Sequence, residues 1–140
     1  MPTQNAVDAT PEQIQAFLAS HEDGVPIYML NLLKFKKTST YREGEQVSGS
    51  EAYDRYAKAF GQMLKDRGIE GVETVFGGKV DRFLIGAGED EWDAVAIVRY
   101  PDKKSMFEAV SNETYRSFYF HRKAGLEGQL LIACDGSGVF

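Results

Sequence analysis

A chain of 140 residues is long enough for one domain with a real core, burying roughly 68% of its unfolded surface, and too short for two. Hydrophobic residues make up 43% and aromatic residues 12%, an ordinary globular composition, and the net charge of −5 excludes a nucleic-acid binder that works through a broad basic face. Cys134 is the sole cysteine, so no intrachain disulfide can form. The start Met1-Pro2-Thr3-Gln4-Asn5 lacks the pattern of a signal peptide, no apolar run reaches the roughly 18 residues of a membrane span, and a cytoplasmic location is expected.

In chain order, a loose tail leads to Thr10-Pro11-Glu12-Gln13, where a Thr cap, Pro at the first helical position and Gln at the third predict a helix to about Ser20 with an apolar stripe of Ile14, Phe17 and Leu18. His21 closes it and is expected to be solvated. Pro26 to Phe35 is the most apolar run of the chain and predicts a strand. Ile27, Met29, Asn31, Leu33 and Phe35 fall on one face, and Tyr28, Leu30, Leu32 and Lys34 on the other. Residues 36–49 form a polar loop long enough to act as a flap; its Lys36 and Lys37, with Lys34, read as a solvated edge.

Ser48-Gly49-Ser50-Glu51 fits a capping box and opens the longest helix, which Gly68 closes; Tyr53, Tyr56, Ala57, Phe60, Met63 and Leu64 mark its apolar face. Val72 to Ile85 predicts a strand bent at Gly77-Gly78, and Trp92 to Tyr100 its hairpin partner across a turn at residues 86–91. Asp102 caps a short helix. Ser111 or Asn112 caps another, rich in aromatics (Tyr115, Phe118, Tyr119, Phe120), which ends at Gly125. Gln129 to Cys134 is the last strand, Cys134 is expected as a small core residue, and the tail after it has little to hold it.

Omitting the first helix, the order is strand, helix, two strands, helix, strand. That is the α+β, ferredoxin-like βαββαβ arrangement, a four-stranded antiparallel sheet with helices on one face, in one domain: tail and helix at 1–25, core at 26–135, tail at 136–140. Helices on one face would leave the other in water, yet both faces of the first strand are apolar. Burying both requires a partner, so a homodimer through the sheet face is expected, with no nucleic acid or membrane among its partners.

Asn31-Leu32-Leu33-Lys34-Phe35, Ser50-Glu51-Ala52-Tyr53, Trp92-Asp93 leading to Val98-Arg99-Tyr100-Pro101, Tyr115, and His121-Arg122-Lys123-Ala124-Gly125-Leu126 occur in an order that resembles the domain-of-unknown-function family numbered thirteen-thirty, of the dimeric α/β-barrel superfamily. The resemblance implies a ferredoxin-like subunit that dimerises through its sheet and has a cleft between sheet and helices. It implies no chemistry.

For such a cleft the catalytic candidates are His121, a neutral-range acid or base on the aromatic helix, and Asn31, whose amide could orient a carbonyl or enolate oxygen or else satisfy backbone. Substrate-binding candidates are Tyr53, Tyr56, Trp92, Arg99 and Tyr119. The two tyrosines of the long helix read equally as core packing, Trp92 as packing, and Arg99 as a carboxylate clamp or an ion-pair partner; Arg122 has the same two readings. No metal and no cofactor are expected. Three functions stay open: a cofactor-independent monooxygenase, isomerase or cyclase acting on a small aromatic or polyketide-like molecule, as the likeness to the wider superfamily suggests; a non-catalytic binding or structural dimer; and haem handling through Asn31, Trp92 and His121, which the same likeness suggests because some of its members place an Asn, a Trp and a His on the corresponding elements.

Overall fold

The computed structural model describes residues 6–88 and 92–136. Helix α1 (Pro11–Ser20) starts at a complete capping box, with Gln13 N donating to Thr10 Oγ1 at 3.1 Å and Thr10 N donating to Gln13 Oε1 at 3.0 Å. Strand β1 (Ile27–Phe35), helix α2 (Gly49–Asp66), strands β2 (Glu73–Lys79) and β3 (Ala94–Tyr100), helices α3 (Lys103–Val110) and α4 (Glu113–Gly125), and strand β4 (Leu126–Asp135) follow. The sheet order is β2-β3-β1-β4 with every neighbouring pair antiparallel, the ferredoxin-like order. Among the described residues no helix is long and apolar enough to cross a membrane.

β1 alternates as its side chains dictate. Ile27, Met29, Asn31 and Leu33 are buried under the helices, while Tyr28, Leu30, Leu32 and Lys34 are half-buried on the other face. Under the helices, Ile27, Met29, Met63, Tyr100, Ala109 and Phe118 form the core, and α2 packs on α4 through Tyr56, whose hydroxyl lies 2.9 Å from that of Tyr115. The opposite face carries rows that run across all four strands in register: Phe76, Ile97, Leu30 and Ile132, then Gly78, Val95, Leu32 and Leu130. These rows are apolar and, among the described residues, uncovered, with Phe76 55% and Ile132 46% exposed.

Several boundaries differ from the sequence expectations. β2 ends at Lys79 rather than Ile85, because the last link of the ladder is Val80 N to Asp93 O; beyond it Leu84 and Ile85 are each 92% exposed. Trp92 precedes β3, and the turn expected at 86–91 lies partly outside the described residues. The irregularity in β2 falls at Val75, where the register shifts between Thr74 and Phe76, while Gly77 and Gly78 stay in the ladder. A side chain at Gly78 would meet the Phe76 ring at 3.0 Å, so the glycine leaves room for that ring.

β4 starts at Leu126, and Cys134 is exposed on the open face opposite Tyr28 rather than in the core, because β4 is an edge strand that no described residue covers there. The tails are tied. Ala6 bridges Gln129, and Gly136 N donates to Pro26 O at 3.1 Å. His21 holds the α1–β1 turn through Val25 O at 3.0 Å.

The loop 36–49 is a closed Ω-loop rather than a free flap. Gly49 N donates to Lys36 O at 3.0 Å, Lys36 N to Gly125 O at 2.8 Å and Thr40 N to Ala124 O at 3.0 Å, which fasten it to the end of α4. Gly49 and Gly125 meet backbone to backbone: a methyl on Gly49 would fall 2.6 Å from Gly125 O, and one on Gly125 2.9 Å from Tyr53 N.

Candidate functional site

α1 buries none of its residues completely; its apolar stripe roofs a cavity, with Phe17 partly buried against the core. Ile14, Phe17 and Leu18 look down on Met29 of β1 and on Leu131 and Ala133 of β4; Met106, Phe107 and Val110 of α3 wall one side, and residues 6–9 another. The cleft measures about 350 Å³ and lies between sheet and helices. Small-molecule sites are of this kind: concave, mostly apolar, with a few convergent polar groups.

The polar groups are Arg122, Gln129, Gln13 and Asp8. Arg122 is only 8% exposed, and its guanidinium, protonated at any ordinary pH, must be compensated where it lies. One Nη donates to the Tyr119 hydroxyl at 3.1 Å and the other to Gln129 Oε1. Gln129 Nε2 donates to Asn31 Oδ1 at 2.7 Å, and Asn31 Nδ2 donates to Met29 O and Ala96 O. The Asp8 carboxylate lies 4.0 Å from Arg122 and takes hydrogen bonds from the Tyr119 hydroxyl and from Lys123 Nζ at 2.9 Å. These two bonds hold the Asp8 carboxyl below its ordinary range, the tyrosine's contributing most. Burial, then the bond to Asp8, pushes Tyr119 up to about 12.

His121 does not face this cleft. Successive helical residues are turned by about 100°, so with Phe118 and Arg122 facing inward the neighbouring His121 points to the Ω-loop. There it lines a second, outer cavity of about 790 Å³ with Tyr41, Phe120, Arg55 and Lys36. Its Nδ1 lies 2.6 Å from the Tyr41 hydroxyl, and the Arg55 guanidinium sits over the Tyr41 ring while forming a two-pronged pair with Glu45. Desolvation first, then Arg55, lowers the His121 pKa below 6.5, which favours the neutral ring at pH 7.

The sequence candidates therefore occupy several places. Tyr119 joins the Arg122 cluster, and Asn31 ends the same hydrogen-bond chain with its amide engaged by neighbouring protein groups. Tyr53 and Tyr56 lie in the aromatic packing between α2 and α4; burial pushes Tyr53 up to about 12 and Tyr56 further. Arg99 stands on the open sheet face, in register with Tyr28 and Glu73, and Trp92 lines neither cavity. Asn31, Trp92 and His121 are not brought together, so the residues present do not fit a haem pocket of that pattern.

Gln129, Asp8 and Tyr41 had not been singled out from the sequence. Tyr119 and Arg122 carried a usable signal, since a spacing of three puts both on one helix face. Asp8 gave none, lying alone in a polar tail.

No family model matches the chain, and no curated protein does. Among solved structures, the crystal structure of the methylated RPA0582 protein is 30% identical with a TM-score of 0.84, covering 97% of this chain and 98% of that one. A second structure, of the RPA0582 protein of unknown function from Rhodopseudomonas palustris, is 29% identical with the same TM-score, over 97% and 100%. The chain belongs to the RPA0582 family.

The numbered domain family has no support from these comparisons. The RPA0582 likeness spans nearly the whole chain. A dimeric protein of unknown function and ferredoxin-like fold from Bacteroides fragilis is 7% identical (TM-score 0.52, covering 81% of this chain and 99% of that one) and shows the fold alone. So does the hydroxynitrile lyase of Passiflora edulis, at 8% (TM-score 0.58, covering 84% and 98%).

Proposed function

We propose that this protein is a homodimeric small-molecule binder whose ligand, a small and largely apolar molecule, occupies the cleft beneath α1. The observation that carries the reading is the cleft itself: an amphipathic helix lays its apolar stripe along a cavity of about 350 Å³, with Phe17 also packed against the core, and a buried cationic side chain lines the same space.

The dimer follows from the other face of the sheet. Two registered apolar rows across four strands form a patch of the kind that monomers rarely leave in water, and a second copy of the same face covers it by two-fold symmetry. The related fold of the Bacteroides fragilis protein is dimeric, which supports the same arrangement here.

A second reading, catalysis at the outer cavity, is favoured by one observation, the 2.6 Å contact between Tyr41 and His121. With Nδ1 unprotonated, the neutral imidazole accepts from the Tyr41 hydroxyl and can take its proton; in the other tautomer Nδ1–H donates to the phenol oxygen. In this reading His121 moves the proton and Phe120 with Tyr41 supplies an aromatic platform.

Native mass spectrometry of the freshly purified protein tests the first reading. A dimer carrying a defined extra mass supports it, and release of that mass by Phe17→Trp, which narrows the cleft, supports its place there. A clean monomer contradicts the dimer, and a retained mass that Phe17→Trp leaves bound contradicts the cleft.

A further inference from the structure

We infer that the cleft ligand is an amphipathic carboxylate, an apolar body with one carboxylate that Arg122 binds; this rests on the cleft being the ligand site. Arg122 is 8% exposed, and a guanidinium so buried is costly unless an anion stands near it. Neither hydrogen-bond partner of Arg122, the Tyr119 hydroxyl and the Gln129 amide oxygen, is charged. Among the described residues only Asp8 comes within ion-pair range, at 4.0 Å, beyond hydrogen-bonding distance.

Asp8 is half-exposed and lies next to the isolated bridge at Ala6. Its carboxylate is nevertheless gripped by Tyr119 and Lys123, on the turn of α4 that carries Arg122. The chain thus shows a carboxylate at the mouth of an apolar cavity, one step short of the buried guanidinium. A ligand carboxylate arriving from the cavity side can close that step. It would take two charge-assisted hydrogen bonds from Arg122, whose planar fork matches a carboxylate, while its apolar body lies among Phe17, Met29, Met106 and Leu131. The two methionines suit a body of variable shape. Asp8 then acts as a competitor for the same cationic cluster.

The test is calorimetric titration of the full chain with 4-phenylbutyrate and with its neutral counterpart 4-phenylbutan-1-ol. Wild type is expected to prefer the carboxylate by roughly tenfold or more, the usual worth of a buried charged hydrogen bond. Arg122→Gln is expected to bring the two probes to similar affinity with alcohol binding kept. Because Arg122→Gln can also fail to fold, the exposed Asp8→Asn provides an independent arm, in which carboxylate affinity rises and alcohol affinity does not. Equal binding of the two probes by wild type overturns the carboxylate inference and leaves the cleft standing, as does a preference that folded Arg122→Gln retains or that Asp8→Asn abolishes. Failure of wild type to bind either probe overturns the cleft as well.

Discussion

Gln129 Nε2 donates to Asn31 Oδ1 at 2.7 Å, joining the edge strand β4 to β1 in the middle of the sheet and fixing which end of the Gln129 amide faces Arg122. With its nitrogen committed to Asn31, Gln129 presents its oxygen to the guanidinium. The floor of the cleft is therefore oriented from the sheet outward. Removing Gln129 leaves both an acceptor and a charged donor without their partner in a buried place, and Gln129→Ala is expected to cost about 1–3 kcal/mol. Chemical denaturation measures it; a loss within a few tenths of wild type would show that water replaces the amide without penalty.

The open sheet face predicts its own disruption. Ile97 stands in the row with Phe76, Leu30 and Ile132, so Ile97→Glu places a charge in the middle of the expected subunit contact. Sedimentation velocity is expected to show a folded monomer in place of the wild-type dimer. An unchanged sedimentation coefficient would place the contact elsewhere.

Much of this was legible in the sequence, and the reasons are local. Caps such as Thr10, Ser48, Asp102 and Asn112 sit where a side-chain oxygen meets a helix start, and all four are used. The period-two pattern of β1 assigned both its faces, and the order of strands and helices placed the helices on one side of the sheet. What failed was whatever depends on partners distant in sequence. Phe83-Leu84-Ile85 reads as strand, yet the ladder ends at Val80 and Asp93. Cys134 reads as core, yet β4 is an edge. The direction of His121 depended on one step of helix rotation that Phe118 and Arg122 decide. The cleft was legible only in outline: Arg122 could be weighed as a carboxylate clamp, whereas Asp8 became visible only once the tail was seen against α4.

The contact of Gly49 with Gly125 makes a stability prediction independent of any ligand. Gly125→Ala puts a methyl group 2.9 Å from Tyr53 N, against backbone that cannot swing aside, so a destabilisation of about 1–3 kcal/mol is expected from overpacking. Thermal unfolding checks it, with Gly61→Ala as the control, since nothing lies within 4 Å of a methyl there. Equal melting temperatures for the two variants would contradict the close approach.

His121 provides a pH test. Its pKa in the folded chain lies below the ordinary 6.5 because desolvation, then Arg55, disfavours the charged ring. The unfolded chain therefore binds the proton more readily, and the stability contribution is complete above about 6.5 and is lost as the pH falls through the lower folded value. A proton NMR titration should give His121 a midpoint under 6.5. A midpoint at or above 6.5 would contradict the environment described for it.

The most direct test of the cleft uses the methionines. Met29 and Met106 line it, Met63 lies in the core at 1% exposure, and Met1 completes the set of four. With carbon-13 methyl-labelled methionine, titration of the protein with 4-phenylbutyrate is expected to move the Met29 and Met106 methyl signals together, saturably, while Met63 stays in place. Saturable binding that leaves Met29 and Met106 unmoved would put the ligand elsewhere and contradict the central claim.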